Sequence, residues 1–302
     1  MMNEKKKKTG LPTRYKKYAQ GYLFLVPNFL GFFLFMFIPI IMGFGVSLTD
    51  YDGFQKMNFI GIKNYMDLFS DSYFLVSLRN NFLYTLVTVP ATIVLAILLA
   101  VALNTGIRGV SAFKAFYYFP SISSMVAVGI VWSVLFNPMN GPINSFLLGL
   151  GMENPPKWLA STSMALWAVM IVAVWKQTGY YMVMLLAGLQ SIPKQLYEAA
   201  EIDGANAVVR FFKITLPMLS PVTFMVTILT IISSFQVFDL INVMTKGGPG
   251  YATNVLVYRI YQEGFKYMRY GYASAMAYFL FLIILIITLI QFRGQKKWVT
   301  YM

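Results

Sequence analysis

The side chains able to do chemistry in this 302-residue chain fall in three clusters. Lys176, Gln177, Tyr180 and Tyr181 lie inside an otherwise apolar run, and Gln236, Asp239 and Asn242 recur every three residues at the end of another. Glu198, Ala199, Ala200, Asp203, Gly204, Ile214, Leu216 and Pro217 belong to an amphipathic stretch, 191–217, between the two runs. Cysteine and histidine are absent, which excludes disulfides, thiol catalysis, Cys- or His-built zinc sites and imidazole acid–base work. No G-x-x-x-x-G-K-S/T phosphate loop occurs, so the chain is not expected to bind and hydrolyse ATP. GGPG at 247–250 lacks the lysine and the strand-to-helix context of a phosphate cradle and reads as a turn. The acids are too scattered for a metal site. No catalytic residue, metal or cofactor is therefore assigned to this chain.

What remains is hydrogen bonding and ring stacking inside apolar segments. Ionisable groups are costly in hydrocarbon and mark functional positions by default. Lys176 reads either as a snorkelling or structurally paired cation or as lining a solute path. Tyr180 and Tyr181 read as interfacial aromatics or as solute-facing rings. On one helix, Gln236, Asp239 and Asn242 would drift slowly around one side and present a polar stripe to a central path.

The elements that must position these residues are membrane helices. The chain is 58% hydrophobic and 17% aromatic, with a mean hydropathy of +0.63, too apolar for a soluble domain of this length. Uncharged runs longer than the roughly 20 residues needed to cross a bilayer predict an all-α membrane protein of six spans. They are placed at 22–48, 81–103, 117–136, 163–189, 219–238 and 272–292, between a basic tail at 1–21 and a short tail at 293–302. Pro27 and Pro39 predict bends in the first span, which is read as a retained anchor and not a cleaved signal. Pro90 predicts a kink in the second span, and Pro120 lies near the start of the third. Lys176 to Gly179 interrupt the fourth. GIKNYMDLF, from Gly61, reads as a small amphipathic helix at the membrane surface.

The +13 charge follows topology. Of 24 Lys and Arg, 15 fall in the tail, the turn around Ile107, the 191–217 stretch and the C-terminus, against 8 in the three opposite segments, with Lys176 left over. This bias places both termini and the 191–217 stretch in the cytosol. The Lys5–Lys8 run is a topology signal or a lipid contact, and no nucleic-acid partner is expected.

Within 191–217, Pro193 suits a first helical turn, and Asp203-Gly204 supplies the turn a helix C-terminus wants. Asn206 can cap a second helix running to about Ile214, and Pro217 marks re-entry into the bilayer. The reading is helix, tight turn, helix; on physical grounds alone, an amphipathic loop lying on the membrane is equally compatible. Ala199 and Ala200 allow close approach of a partner, and Glu198 offers a carboxylate beside them; Asp203 and Glu201 read most simply as solvated helix-end residues.

The spacing of EAA, three residues, G, nine residues, I-x-L-P resembles the EAA loop of binding-protein-dependent ABC importer permeases. The flanking AGLQSIPKQLYEAAEIDGA is similar to the carbohydrate-uptake branch, with its maltose-like and glycerol-phosphate-like permeases. The resemblance implies a type I ABC importer transmembrane domain in the cytoplasmic membrane of a prokaryote. It implies that the EAA residues fit a groove on a separate ATPase dimer, which carries ATP and Mg. It also implies a second related permease, an extracytoplasmic solute-binding protein and a sugar or oligosaccharide cargo, uncharged because Lys176 alone among the span residues is cationic. The rival class, an ion-coupled secondary transporter, would need buried acids and inverted repeats; no repeat is evident, and Asp239 is the only span-associated carboxylate. A membrane scaffold without transport would not need the turn at Gly204.

Overall fold

The computed structural model describes residues 13–54, 57–104 and 109–300. The Lys5–Lys8 run, Arg108 and the last two residues lie outside the described residues.

The first span is α1 (Thr13–Phe32), a π turn (Phe33–Phe37) and α2 (Ile38–Ser47). Pro39 brings no N–H, and its ring crowds the carbonyl four residues back. The helix widens there, closing the turn with an Ile38 N–H to Phe33 carbonyl bond, while Pro27 is carried inside α1. None of this span's apolar window is buried. It is held through the ring contact of Phe44 with Tyr278 and a Tyr278 hydroxyl donating to the Ile40 carbonyl.

After a short turn pinned by Asp50, which accepts from the Asn58 backbone and side-chain amides at 2.9 and 3.0 Å, comes the small helix α3 (Lys63–Ser70). Then α4 (Ser72–Leu103) begins nine residues before the expected second span at Asn81. The last charge, Arg79, does not stop it, because the boundary is set by Asp71. This N-cap carboxylate accepts the Tyr73 N–H at 2.8 Å.

The third span, expected at 117–136, starts earlier and is not one helix. It is two helices, α5 (Val110–Ile122) and α6 (Met125–Leu135), bent by 96°. Ser123 and Ser124 both take extended ψ angles, 148° and 133°, which makes the corner. A hydropathy run registers apolar length and is blind to such a turn. With the broken pair counted as one crossing, five long apolar helices become six.

The helix α7 (Pro142–Gly149) and a single 3-10 turn lead to α8 (Ala165–Gln190). The expected interruption at Lys176 to Gly179 is absent; α8 runs straight through. It is also the central column, with 61% of its apolar window buried, more than any other span. Ala96 and Ala100 of α4 let Met182 and Leu185 of α8 pack closely. Gly179 marks the tightest crossing: a Cβ there would lie 1.9 Å from the Tyr117 carbonyl oxygen of α5.

The helices α9 (Lys194–Ile202) and α10 (Ala207–Arg210) follow, and a second π turn (Phe211–Thr215) leads to α11 (Leu216–Phe235). This turn again ends two residues before a proline, Pro217. The fifth span was expected to reach Phe238, but α11 stops at Phe235. The chain breaks at Gln236 to Phe238, and α12 (Asp239–Met244) starts afresh. Finally α13 (Leu256–Tyr261), a π turn (Gln262–Lys266) and α14 (Tyr270–Gln295) complete the fold.

Candidate functional site

Two places assemble the sequence-picked residues. In the 191–217 stretch, α9 ends in a Schellman closure: the Ala205 N–H bonds the Ala200 carbonyl at 2.8 Å, and the Gly204 N–H bonds the Glu201 carbonyl at 3.0 Å. Gly204 sits at φ +78°, the left-handed region that a β-carbon disfavours. Asn206 then caps α10, its Oδ1 accepting the Val209 N–H at 2.9 Å. Glu201, read from sequence as solvated, pairs with Arg210 at 3.1 Å across the turn. The Tyr197 hydroxyl meets Thr215 Oγ1 at 3.1 Å.

These ties hold α9 against the root of α11 and divide the eight motif residues. Glu198, Ala199, Asp203 and Gly204 are exposed, whereas Ala200, Ile214, Leu216 and Pro217 are half-buried. Glu198 makes no ion pair among the described residues. Beside it lies an apolar face that the chain leaves open, with Ile202 87%, Val208 64% and Phe212 60% exposed.

The second place is a cavity of about 410 Å³ between α4, α6, α8 and the α11–α12 break. Gln177, Tyr180, Tyr181, Gln236 and Asp239 line it, with Tyr84, Ser233 and Phe238. Tyr180 and Tyr181 meet edge to face, their centroids 5.2 Å apart. The break after Phe235 is what turns Gln236 and Asp239 into the cavity together. The three-residue stripe is therefore corrected: Gln236 does not share the helix of Asp239 and Asn242, and Asn242, a turn along α12, is not in the lining.

Lys176 is not in the lining either. Its Nζ donates to the Ser121 carbonyl at 3.1 Å, and Ser121 Oγ donates back to the Lys176 carbonyl at 2.9 Å. The reading of Lys176 as a structural group is the one this geometry favours. The pair latches the corner of the broken third span to α8.

Residues 78–298 match the model of the family described as binding-protein-dependent transport system inner membrane component. The chain belongs to that family. It is 39% identical over 285 residues to the probable ABC transporter permease protein YesP of Bacillus subtilis, covering 93% of this chain and 92% of that one. It is 35% identical to the arabinooligosaccharides transport system permease protein AraP of the same organism, covering 92% and 89%. In fold it is similar to a chain of a bacterial alginate ABC transporter crystallised with an alginate pentasaccharide-bound periplasmic protein. That match has a TM-score of 0.82 at 23% identity and covers 94% of this chain and 96% of the other.

Two parts of this permease were missed by sequence reasoning. Tyr84, 1% exposed in α4, walls the cavity; a single tyrosine in an apolar span reads as packing. The other part is a buried ion cluster at the end of α11 opposite the 191–217 stretch. Arg259 pairs with Glu263 at 2.5 Å and lies 3.7 Å from Asp71, and Arg269 meets Glu263 at 3.1 Å. Glu263 is 1% exposed. The spacing of Arg259 and Glu263, i and i+4 on a helix, was a usable signal; nothing local pointed to Asp71.

Proposed function

We propose that this chain is the sugar-conducting permease subunit of an ATP-driven importer in the cytoplasmic membrane of a prokaryote, with both termini cytosolic. The observation that carries the reading is the cavity, where side-chain amides, tyrosine hydroxyls and ring faces converge beside one acid and no lining cation. Uncharged sugars are bound by such a mixture of hydrogen-bonding groups and aromatic faces. An anionic solute would need converging Arg or Lys, and Asp239 opposes it. AraP, named for arabinooligosaccharides, supports the same class.

The open apolar face beside Glu198 suits a groove on an ATPase dimer, which would hold ATP and Mg; this chain needs no cofactor of its own. A second related permease would complete the path, and an extracytoplasmic solute-binding protein would deliver the sugar. Membership of the binding-protein-dependent family disfavours an ion-coupled carrier or a passive scaffold.

The test is gentle purification of the tagged chain from its native membrane, followed by reconstitution. A stoichiometric ATPase and a second permease should co-purify, and the reconstituted complex should take up sugar only with ATP inside. Purification without an ATPase, or uptake driven by an ion gradient alone, would overturn the reading.

A further inference from the structure

The cavity does not end at its own walls. Phe238, which lines it, meets the Tyr261 ring edge to face at 5.3 Å between centroids and 64° between planes, and Tyr261 stacks on Phe265 at 5.6 Å with an interplanar angle of 30°. Exposure rises along the series: Phe238 and Tyr261 are half-buried, whereas Phe265 is 66% exposed. The three rings thus run from the cavity to the surface opposite the 191–217 stretch.

We propose that Phe238, Tyr261 and Phe265 form a stacking ladder that binds successive rings of an uncharged oligosaccharide between the outer surface and the cavity; this rests on the sugar-permease reading above. The C–H faces of such rings pack on aromatic faces with little dependence on which sugar is present, so a ladder suits passage of a chain and not selection of one monomer.

Phe265 is 66% exposed at the far end of the row. The support beneath the outer rungs is rigid. Tyr261 and Phe265 flank Glu263, which is buried and ion-paired to Arg259 and Arg269, and the π turn Gln262–Lys266 sets their two rings nearly parallel. Rings already fixed in place lose little entropy when a ligand stacks on them. Lys266 adds donors beside the row, its Nζ 5.6 Å from the Tyr258 ring centroid and 5.9 Å from that of Tyr261. At the inner end Asp239 and Gln236 line the cavity and offer acceptor oxygens to sugar hydroxyls.

The experiment uses the complete importer in lipid nanodiscs carrying Phe265→Trp, with arabinotriose, maltotriose and xylotriose as probes. Indole emission should change saturably with at least one trisaccharide, and a tryptophan placed at Phe54, 82% exposed in another loop, should not respond. Adding Tyr261→Leu should weaken that binding by about tenfold, and Tyr261→Phe should restore it, because leucine fills space without a ring face. Emission that no trisaccharide alters, or that Tyr261→Leu leaves unchanged, would show that the row is packing only. Uptake in proteoliposomes separates the two readings. Phe265→Leu with Tyr261→Leu should raise KM for the responding trisaccharide about tenfold with kcat kept. An unchanged KM overturns the ladder and leaves sugar import standing, whereas no uptake of any probe by the unaltered importer overturns the import reading beneath it.

Discussion

The Tyr272 hydroxyl donates to Asp71 Oδ2 at 2.9 Å, joining residues 201 positions apart. Asp71 Oδ1 meanwhile accepts the Tyr73 N–H. One carboxylate therefore starts α4 and anchors the first turn of α14, with Arg259 supplying the opposite charge. Tyr272→Phe keeps the ring and deletes only the donor, so it should cost about 1.5–3 kcal/mol, the usual worth of a hydrogen bond to a charged group. Thermal unfolding in detergent reads this directly. An unshifted midpoint would mean that Arg259 suffices for Asp71 Oδ2 without the tyrosine hydroxyl.

The crossing of α5 and α8 at Gly179 gives a sharper steric test. A methyl group there meets the Tyr117 carbonyl oxygen at 1.9 Å, and backbone cannot step aside as a flexible side chain can. Gly179→Ala should destabilise by about 1–3 kcal/mol through overpacking. Gly31→Ala, where nothing lies within 4 Å, should leave the melting curve in place or raise it slightly. Equal behaviour of the two variants would refute the close approach.

Gly204 is the converse case, with open space around it and a left-handed φ. The penalty of a substitution is conformational, about 1–2 kcal/mol for an ordinary L-residue. Gly204→Val should insert normally yet misplace α9 against α10, abolishing transport-linked ATPase stimulation. Gly204→Asn, which tolerates that backbone, should retain much of it. Full stimulation in correctly inserted Gly204→Val would argue against a coupling role for the turn.

How far these sites could be read beforehand depended on how local their causes are. The turn at Gly204 and the cap at Asn206 were legible because both are set by neighbours within five residues. The start of α4 was misplaced because Asp71 caps it from beyond Arg79, inside what reads as a polar loop. The corner at Ser123 and Ser124 left no mark in hydropathy, since serines are common within spans. Gln236 and Asp239 were picked for the cavity on a helical argument that fails. They reach it because the helix breaks between them.

Glu198 is exposed and makes no ion pair among the described residues, in a segment otherwise tied down by Glu201–Arg210 and Tyr197–Thr215. A basic residue of the ATPase is its expected partner. Removing one side of a buried interfacial charge pair costs about 2–5 kcal/mol, so Glu198→Ala should lower the yield of co-purified ATPase or the transport-linked rate. Association and rate both equal to wild type would leave Glu198 as a solvated carboxylate.

In the cavity, replacing Gln236 and Asp239 together by Ala removes an amide and the one lining carboxylate. Uptake of the importer's sugar should fall while subunit assembly and basal ATPase activity hold. Uptake at the wild-type rate would exclude these residues from the route.

Apart from Asn64 and Tyr65 of α3, which bond its last residue, Ser47, the first span packs mainly on α14, and the bond from Tyr278 to Ile40 closes a separation of 238 residues. Chains are made from the N-terminus and their domains fold in that order, so this span, made well before α14, meets it only once α14 has been synthesised. Until then its phenylalanine-rich surface faces lipid. Ribosomes stalled before Tyr278 should hold a first span that labels uniformly from the lipid phase, with protection at Gly43 and Phe44 appearing only after α14 emerges.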